Sequence, residues 1–377
     1  MIGAPTGAPR TRRLRIAILG TRGVPASYGG FETFAEELGA RLAARGHRVT
    51  VYGRDRWVPR GLREHRGMRI VRLPAPRSKY LETVVHTLFS AAHVALRDDD
   101  VVYICNSANA PAAALLRLAG KRVALNVDGL EWKRAKWGPL GRGYYRACEW
   151  LAARLPIEIV TDARVIQEHY RSAHGRETSF FPYGADLEPV ADDGTLARLG
   201  VAPRGYVLYV SRLEPENNAH VAIEAYGTVA TDLPLLVVGD APYADRYIAR
   251  LEAAAAGDPR IRLTGAIYGQ GYRVLRSQAA AFVQATEVGG THPALVEAMG
   301  SGNAIVANDV PEHREVLGDA GLYYRGAAQL AAALERVLGD PEMAAELRRR
   351  SHERAAEHFD WARIAADYEA WLTSLAG

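Results

Sequence analysis

Several features are scarce in this 377-residue chain, and each absence excludes a class of protein. Only two cysteines occur, Cys105 and Cys148, so neither a disulfide scaffold nor a CxxC metal site is expected. No apolar run approaches the roughly 20 residues that a transmembrane helix needs. The apolar segment 14–19 is also too short for a signal peptide. The sequence therefore predicts a cytoplasmic protein, and a peripheral position on the inner face of the plasma membrane stays open.

Signatures of metal and dinucleotide binding are missing as well. HExxH is absent, and His86 and His93 are seven residues apart without a third ligand, so no metal site is expected. The glycine-rich loop 20–30 contains neither GxGxxG nor GK[ST], and the second predicted strand ends at Arg54 without an acidic residue for a ribose. The acidic run 98–100 precedes a strand and is interpreted as a solvated turn. We expect neither a metal nor a separate cofactor.

Charge is distributed unevenly along the chain. The net charge is +4, but the first 186 residues hold 30 Lys and Arg against 17 Asp and Glu, and the remainder holds 17 against 26. A basic half favours an anionic partner, such as a membrane surface or a phosphorylated substrate, although an Arg-rich composition without functional meaning is the alternative. Because no nucleic-acid-binding module is recognisable, nucleic acid is not expected as a partner.

Short β-branched runs alternate with helical patterns in both halves of the chain. Strand 15–19 is followed by a helix and by a second strand at 47–52, a βαβ unit that predicts a parallel sheet. Further strands are predicted at 68–73, 101–105, 123–127 and 158–161, and an amphipathic helix is predicted over 77–97. The pattern begins again with strands at 206–210 and 235–238. The fold class is therefore α/β, with two Rossmann-like doubly wound domains facing a cleft. The predicted divisions are a disordered leader (1–13), an N-terminal domain (14–187), a C-terminal domain (188–355) and a C-terminal helix that packs back toward the N-terminal domain (356–377).

The loop 20–30 follows the first strand and opens a helix. Its last residues, Gly29 and Gly30, let backbone N–H groups approach an anion at the positive end of the helix. We interpret the loop as facing a ligand, and a purely structural turn is the alternative.

The segment 286–302 carries the strongest pattern in the chain. Glu287 precedes a Gly289-Gly290 turn, which leads through Thr291 and His292 into a helix that contains Glu297. Amides of such a turn can hold phosphate, and a carboxylate can accept hydrogen bonds from vicinal hydroxyls. Glu297 stands among apolar residues, so a solvated role is disfavoured, since a charge in an apolar helix needs partners.

Three further loops end predicted strands. Arg212 offers a planar fork for a diphosphate, and Gly239-Asp240 follows the next strand. Asp128 precedes the aromatic and basic run that contains Trp132 and Lys133. Asp128 faces the reacting group, or else Asp128 or Glu131 caps a solvated helix start, and the sequence favours neither interpretation.

At this point several segments resemble the family-four type of retaining glycosyltransferases, which have the GT-B fold. GGFETFAEELGARLAARGHRVTVYGR (29–54) is similar to the family's opening, PYGAD (182–186) to its interdomain hinge, SRLEPENN (211–218) to its arginine motif and VVGD (237–240) to its nucleotide strand, and 287–321 resembles its acidic donor motif. NVDGLEWKRAKWG (126–138) and GTRGVPASYGGFE (20–32) are closer to a bacterial subgroup with rhamnosyltransferases of capsule and exopolysaccharide assembly. Those enzymes use dTDP-L-rhamnose and act on lipid-diphosphate-linked saccharides.

The chain departs from this family at three places. Asn217 stands where most members have a lysine, nine residues instead of seven separate Glu287 from Glu297, and Asp128 stands where a histidine is frequent. Arg22 or His292 is the expected substitute for the lysine. The candidate residues are Asp128, Arg212 and Glu287 for catalysis; Gly29, Gly30, Arg212, Gly239, Asp240, Gly289, Gly290, Thr291, His292 and Glu297 for the donor; and Arg22, Tyr28, Trp132 and Lys133 for the acceptor.

The resemblance implies transfer of a hexose with retention, without a metal, from a nucleoside diphosphate sugar to a lipid-diphosphate-linked saccharide. It implies that Arg212 binds the diphosphate, Glu297 the ribose and Glu287 a sugar hydroxyl. The expected donor is dTDP-L-rhamnose, with a UDP- or GDP-hexose as the alternative. An epimerase-like GT-B enzyme and a non-catalytic binding protein are the remaining interpretations.

Overall fold

The computed structural model describes residues 12–78, 80–134, 136–241 and 244–377. Most of the expected leader 1–13 lies outside these residues. Each half of the described chain contains one largely parallel sheet with helices on both of its faces.

The N-terminal sheet has eight strands in the order β3-β4-β2-β1-β5-β6-β7-β8, and only β3 is antiparallel to its neighbour. Side chains of β1 alternate between two cores: Ile16 and Ile18 face one helical layer, and Ala17 and Leu19 face the other. The strands are β1 (Arg15–Leu19), β2 (Arg48–Arg54), β3 (Glu64–His65), β4 (Met68–Leu73), β5 (Val101–Cys105), β6 (Val123–Val127), β7 (Glu158–Thr161) and β8 (Ser179–Phe180), and the helices are α1 (Gly30–Ala44), α2 (Glu82–Ala95), α3 (Ala110–Leu118), α4 (Pro139–Arg154) and α5 (Arg164–His174).

The C-terminal sheet has six parallel strands in the order β11-β10-β9-β12-β13-β14. Its apolar strands pack helices on both faces, as buried parallel strands require. The strands are β9 (Val207–Val210), β10 (Leu235–Val238), β11 (Ile261–Gly265), β12 (Ala281–Gln284), β13 (Ile305–Asn308) and β14 (Leu322–Tyr324), and the helices are α6 (Thr195–Arg198), α7 (Ala219–Tyr226), α8 (Asp245–Ala255), α9 (Gly269–Gln278), α10 (Pro293–Gly300), α11 (Pro311–Leu317), α12 (Gly326–Gly339) and α13 (Pro341–His358).

The last helix, α14 (Trp361–Ala376), lies on the N-terminal domain. Tyr368 stacks on Phe181 with ring centroids 4.3 Å apart, and its hydroxyl lies 3.1 Å from that of Tyr103. Before the helix begins, Ala185 of the hinge forms a parallel bridge with Asp360. The chain thus crosses between the domains twice, at residues that contact each other.

Strand positions agree closely with the sequence pattern. The structure places β1, β4, β5, β6, β7 and β10 at the expected residues, and most of the other expected elements within about two residues. The pattern at 77–97 overestimated α2, which begins at Glu82. No helix of the described residues is long and apolar enough to cross a membrane.

Candidate active site

The two domains face each other across a cleft of about 620 Å³. In the C-terminal sheet the strand order reverses between β9 and β12, and the loops after β9, β10 and β12 all line the cleft. Loops after β1 and β6 of the N-terminal domain form the facing wall. This is the position at which doubly wound folds bind ligands.

Glu297 lies in α10, and two groups of α9 hold its carboxylate. The Tyr272 hydroxyl donates a hydrogen bond to Oε2 over 2.6 Å, and the Arg276 guanidinium lies 3.2 Å from the same oxygen. Burial raises the pKa of Glu297, although Arg276 and Tyr272 oppose the shift. Because both contacts are made to Oε2, Oε1 keeps its capacity to accept hydrogen bonds from a ligand in the cleft.

Arg212 follows β9 and meets groups of both domains. Its Nη1 lies 3.5 Å from the Tyr28 hydroxyl and 3.5 Å from the Glu214 carboxylate. Burial disfavours the charge, but Glu214 and Tyr28 outweigh burial, so the pKa of Arg212 is raised. The side chain of Asn217 donates to the Arg212 carbonyl over 2.7 Å. The residue that replaces the usual lysine therefore fixes the backbone of the arginine instead of adding a charge.

Gly239 allows the loops after β9 and β10 to approach each other. A Cβ at this position would lie 1.9 Å from the Ser211 carbonyl oxygen, so only glycine fits. Asp240 follows it, and its carboxylate accepts a hydrogen bond from the Ala241 amide over 2.7 Å. Both Gly239 and Asp240 line the cleft.

The turn 289–292 packs closely against the N-terminal domain. A Cβ on Gly290 would lie 2.1 Å from Oδ1 of Asp162, and the Thr291 hydroxyl donates to the Asp162 carbonyl. Burial, together with His313, Arg134 and Arg212, lowers the pKa of His292, so the ring is neutral. Its Nε2 is buried without a hydrogen-bond partner among the described residues, and it lies in a turn that lines the cleft. A neutral ring with its proton on Nε2 can donate to an anion there.

Asp128 follows β6 and lines the cleft. Leu130, not Asp128, occupies the N-cap of the short 3₁₀ helix Glu131–Lys133, and no side chain caps that helix. The structure therefore excludes the interpretation in which Asp128 or Glu131 caps this helix. Burial and the charge of Glu131 raise the pKa of Asp128 to about 6, although Arg134 and Arg212 act in the opposite direction.

The loop after β1 brings α1 to the same cleft. Gly29 occupies the N-cap of α1, and its carbonyl accepts the amides of Glu32 and Thr33. A Cβ on Gly30 would lie 3.0 Å from Cγ of Pro293, the first residue of α10. The N-termini of α1 and α10 thus meet at the cleft, and both present positive helix ends to an anion.

Comparison with known proteins identifies the family. Residues 29–184 match the family described as "Glycosyl transferase 4-like domain", and residues 204–340 match "Glycosyl transferases group 1". The chain belongs to the group 1 glycosyltransferases. The two matches correspond to the two domains of the GT-B fold, so the expected fold class is confirmed.

Two curated relatives are transferases or synthases of saccharides. The chain is 28% identical over 131 residues to O-antigen chain mannosyltransferase B of Escherichia coli, covering 34% of each protein. It is 29% identical over 195 residues to alpha-maltose-1-phosphate synthase of Mycolicibacterium smegmatis, covering 47% of this chain and 50% of the relative. The matches thus span half or less of either relative.

Solved structures share the fold over nearly the whole chain. Sucrose-phosphate synthase of Thermosynechococcus elongatus superposes with a TM-score of 0.82 at 22% identity, covering 96% of this chain and 99% of that one. HepE of Anabaena, solved with UDP and glucose, superposes with a TM-score of 0.79 at 18% identity, covering 96% and 100%.

Arg134 is a cleft residue of this glycosyltransferase that the sequence did not single out. Its guanidinium is buried against Glu131, with Nε 2.5 Å from Oε1, and it lines the cleft together with Arg212. The pKa of Arg134 is raised because Glu131 outweighs burial and the repulsion by Arg212. The only signal in the sequence was its place in the basic run after Asp128.

Arg22 does not line the large cleft. It lines a smaller neighbouring pocket of about 150 Å³, where its guanidinium lies 3.2 Å from the ring centroid of Tyr28 and 4.6 Å from that of Trp57. Glu82 lies 3.8 Å away. Arg22 thus lies outside the large cleft that Asn217 lines and does not replace the lysine there, and its role beside an acceptor stays a prediction.

Three other candidates lie outside both cavities. Glu287 is exposed and its amide is bonded to the Glu216 carbonyl, so the turn directs it away from the cleft. Trp132 donates from Nε1 to Glu149 of α4 over 2.9 Å, and Lys133 is exposed. The 3₁₀ turn places Trp132 against α4, and the following residues Arg134, Lys136 and Trp137 line the smaller pocket instead.

Proposed function

We propose that the protein is a retaining glycosyltransferase that holds a nucleoside diphosphate sugar in the interdomain cleft. The observation that carries this proposal is the convergence of two arginines from opposite domains, Arg134 and Arg212, with a carboxylate, Glu297, whose Oε1 faces no described protein partner. Cations from both walls suit a diphosphate, and the carboxylate suits a ribose diol.

The diphosphate would lie between Arg134, Arg212 and the turn 289–292. Arg134 then supplies the second positive charge that a lysine at position 217 provides elsewhere in the family. His292 would add a neutral donor, since the pKa of its ring is lowered by burial first and by the neighbouring cations as well. Together these groups stabilise the charge that develops on the leaving nucleoside diphosphate, which requires no metal.

The smaller pocket gives the acceptor a place beside the donor. It shares Tyr28, Asp128, Arg134 and Arg212 with the large cleft, so a hydroxyl bound there would lie next to the transferred sugar. Retention follows if the departing diphosphate accepts the acceptor's proton on the same face. We propose L-rhamnose, from dTDP-L-rhamnose, as the transferred sugar on the subgroup resemblance of segment 126–138.

The acceptor would be a lipid-diphosphate-linked saccharide at a membrane surface. Nine of the exposed large hydrophobic side chains lie between residues 80 and 150, including Phe89, Leu96, Leu118 and Leu140, and helices α2, α3 and α4 that carry most of them are neighbours. This apolar face belongs to the basic half of the chain, which suits an anionic leaflet. Co-sedimentation with vesicles containing anionic lipid should be lost in Leu96→Glu/Leu118→Glu, and binding that is unchanged in this variant contradicts the membrane assignment.

The donor assignment is tested by thermal shift and sugar release with dTDP-rhamnose, UDP-glucose, UDP-GlcNAc and GDP-mannose. Glu297→Gln should weaken binding of the active donor by about 10- to 100-fold, the usual loss for a charged hydrogen bond. Arg134→Ala should weaken it similarly, and Glu353→Gln on the exposed face of α13 should not. Stabilisation by GDP-mannose alone would refute rhamnose, and binding that survives Glu297→Gln and Arg134→Ala would refute the site.

Two alternatives remain distinguishable by the same assay. Conversion of the donor to an isomer without any acceptor would indicate an epimerase-like enzyme. Donor binding without turnover, in the presence of a lipid-linked saccharide fraction, would indicate a binding protein. The pocket adjoining the cleft favours a second substrate and hence a transferase.

A further inference from the structure

Glu149, His169 and His174 form a cluster outside both cavities. Nε2 of His169 and Nε2 of His174 each lie 2.8 Å from the same carboxylate oxygen, Oε1 of Glu149. The three donor atoms lie within 4.8 Å of one another. Glu149 comes from α4 and both histidines from α5, five residues apart, which is why no spacing in the sequence predicted the cluster.

The carboxylate of Glu149 is nearly buried, and hydrogen-bond donors surround it. Its other oxygen, Oε2, accepts the indole N–H of Trp132 over 2.9 Å. The nearby cations Lys133 and Arg146 lie over the Trp132 ring, and neither makes an ion pair with Glu149 within the described part of the chain. Two imidazole nitrogens thus converge on one nearly buried carboxylate oxygen, and this is an arrangement in which a metal ion can replace the protons that lie between the ligands.

We infer that Glu149, His169 and His174 form a binding site for a divalent transition-metal ion of the zinc class. Two imidazole nitrogens and one carboxylate oxygen are a zinc ligand set that leaves a fourth position for water. Zn–N and Zn–O bonds of about 2.0–2.2 Å separate tetrahedral donors by about 3.3 Å. Each imidazole nitrogen must therefore move about 0.5 Å away from Oε1 of Glu149, and the two nitrogens, which lie within 4.8 Å of each other, must also take up this separation. Both histidine side chains are partly exposed, which gives the ion access.

A hydrogen bond from a neighbouring residue also holds one of the proposed ligands in position. The Trp132 indole orients the Glu149 carboxylate, as a hydrogen bond from a neighbouring group does in many metal sites. The site therefore joins α4, α5 and the 3₁₀ helix Glu131–Lys133, directly before Arg134. Its role is to fix the segment that leads into the cleft, not to take part in sugar transfer, and it stands whether or not the proposed donor is correct.

Equilibrium dialysis of the full chain against Zn²⁺, followed by elemental analysis, tests the site. We expect one tightly held zinc per chain, and at least a tenfold loss of affinity in His169→Gln and in His174→Gln. His65→Gln is the matched control, because His65 lies 3.0 Å from Glu36 in a histidine–carboxylate pair without a second histidine. The inference is overturned if the wild-type protein retains no zinc, or if all three variants retain zinc equally.

A second measurement protects the test against variants that fold poorly. Co²⁺ added to the wild-type protein should give the intense visible absorption of a four-coordinate site, and Zn²⁺ should displace it. The spectrum of hexa-aqua cobalt, without enhancement, overturns the inference. A hydrogen-bonded cluster of Glu149 with His169 and His174, without affinity for either metal, would then be the correct description.

Discussion

At the scale of single residues, Asp128 and Glu131 are only three positions apart in the sequence, but the pKa values of their carboxyl groups differ. Burial raises the pKa of both, but Arg134 lies against Glu131, so the pKa of Glu131 falls to about 2. Asp128 has the charge of Glu131 beside it, and its pKa rises to about 6. One carboxylate is thus permanently ionised and holds Arg134, and the other titrates close to neutrality at the cleft.

Asp128 should therefore impose an acid limb on the reaction. If its ionised form contacts the reacting sugar, kcat/KM falls by about tenfold per pH unit below pH 6, because the protonated fraction grows in the free enzyme. A profile of kcat/KM from pH 5 to 8 measures this. Asp128→Asn should lower activity and remove the limb. A limb near pH 6 that persists in Asp128→Asn would assign it to another group.

At the scale of elements, strands were the predictable part. β1 and β10 are short apolar runs between polar turns, and runs of this length and composition are typical of strands buried in a parallel sheet. The site was predictable where local chemistry determines it, as at Glu297 in its apolar helix. Glu287 and Trp132 could not be placed, since the turn and the 3₁₀ helix that direct them away from the cleft depend on contacts with Glu216 and Glu149 that are distant in sequence.

The turn 289–292 gives a prediction about an element. Gly290→Ala places a Cβ against the Asp162 carboxylate, so the turn must shift or the domains must part. We expect destabilisation of about 1–3 kcal/mol and weaker donor binding. Chemical denaturation and donor titration measure both effects. The control is Gly143→Ala in α4, where a Cβ meets no atom within 4 Å and alanine favours the helix.

Rescue distinguishes a local clash from general instability. Asp162→Ala in the same chain removes the group that the new Cβ meets, so the double variant should recover part of the stability lost in Gly290→Ala. If the double variant loses as much stability as Gly290→Ala and Asp162→Ala lose together when measured separately, the steric explanation is contradicted.

The hinge and α14 give a second prediction at this scale. A Cβ on Gly184 would lie 2.4 Å from Cδ2 of Trp361, at the place where Ala185 pairs with Asp360. Gly184→Ala should lower the unfolding midpoint, with overpacking costing about 1–3 kcal/mol. Gly339→Ala at the end of α12 meets no atom within 4 Å and should change little. Equal midpoints for the two variants would show that the hinge tolerates displacement of the Trp361 ring.

At the scale of the whole molecule, charged groups join the domains beside the cleft. Arg273 of α9 lies 2.8 Å from Asp186 of the hinge and 3.4 Å from Glu37 of α1. Arg41 of α1 pairs with the other oxygen of Asp186 over 2.5 Å. This network of partly exposed ion pairs links α1 of the N-terminal domain, the hinge and α9 of the C-terminal domain beside the cleft.

Buried neutral histidines make the stability of the whole molecule depend on pH. Burial lowers the pKa of His86 to about 4, helped by the charge of Arg54, and burial lowers the pKa of His313 to about 4 as well. In the unfolded chain both titrate near pH 6.5. A histidine with a lowered folded pKa contributes stability that is present above pH 6.5 and is lost as the pH falls toward 4. At pH 5 each ring costs about 2 kcal/mol.

Urea unfolding at pH 7.5 and pH 5 measures this dependence. His292, whose pKa burial lowers, acts in the same direction as His86 and His313. Asp128, Asp162 and Glu297, whose pKa values burial raises, favour the folded state as they take up a proton. His86→Leu should reduce the difference between the two pH values by about 2 kcal/mol. An unchanged difference in His86→Leu would show that His86 is protonated in the folded protein.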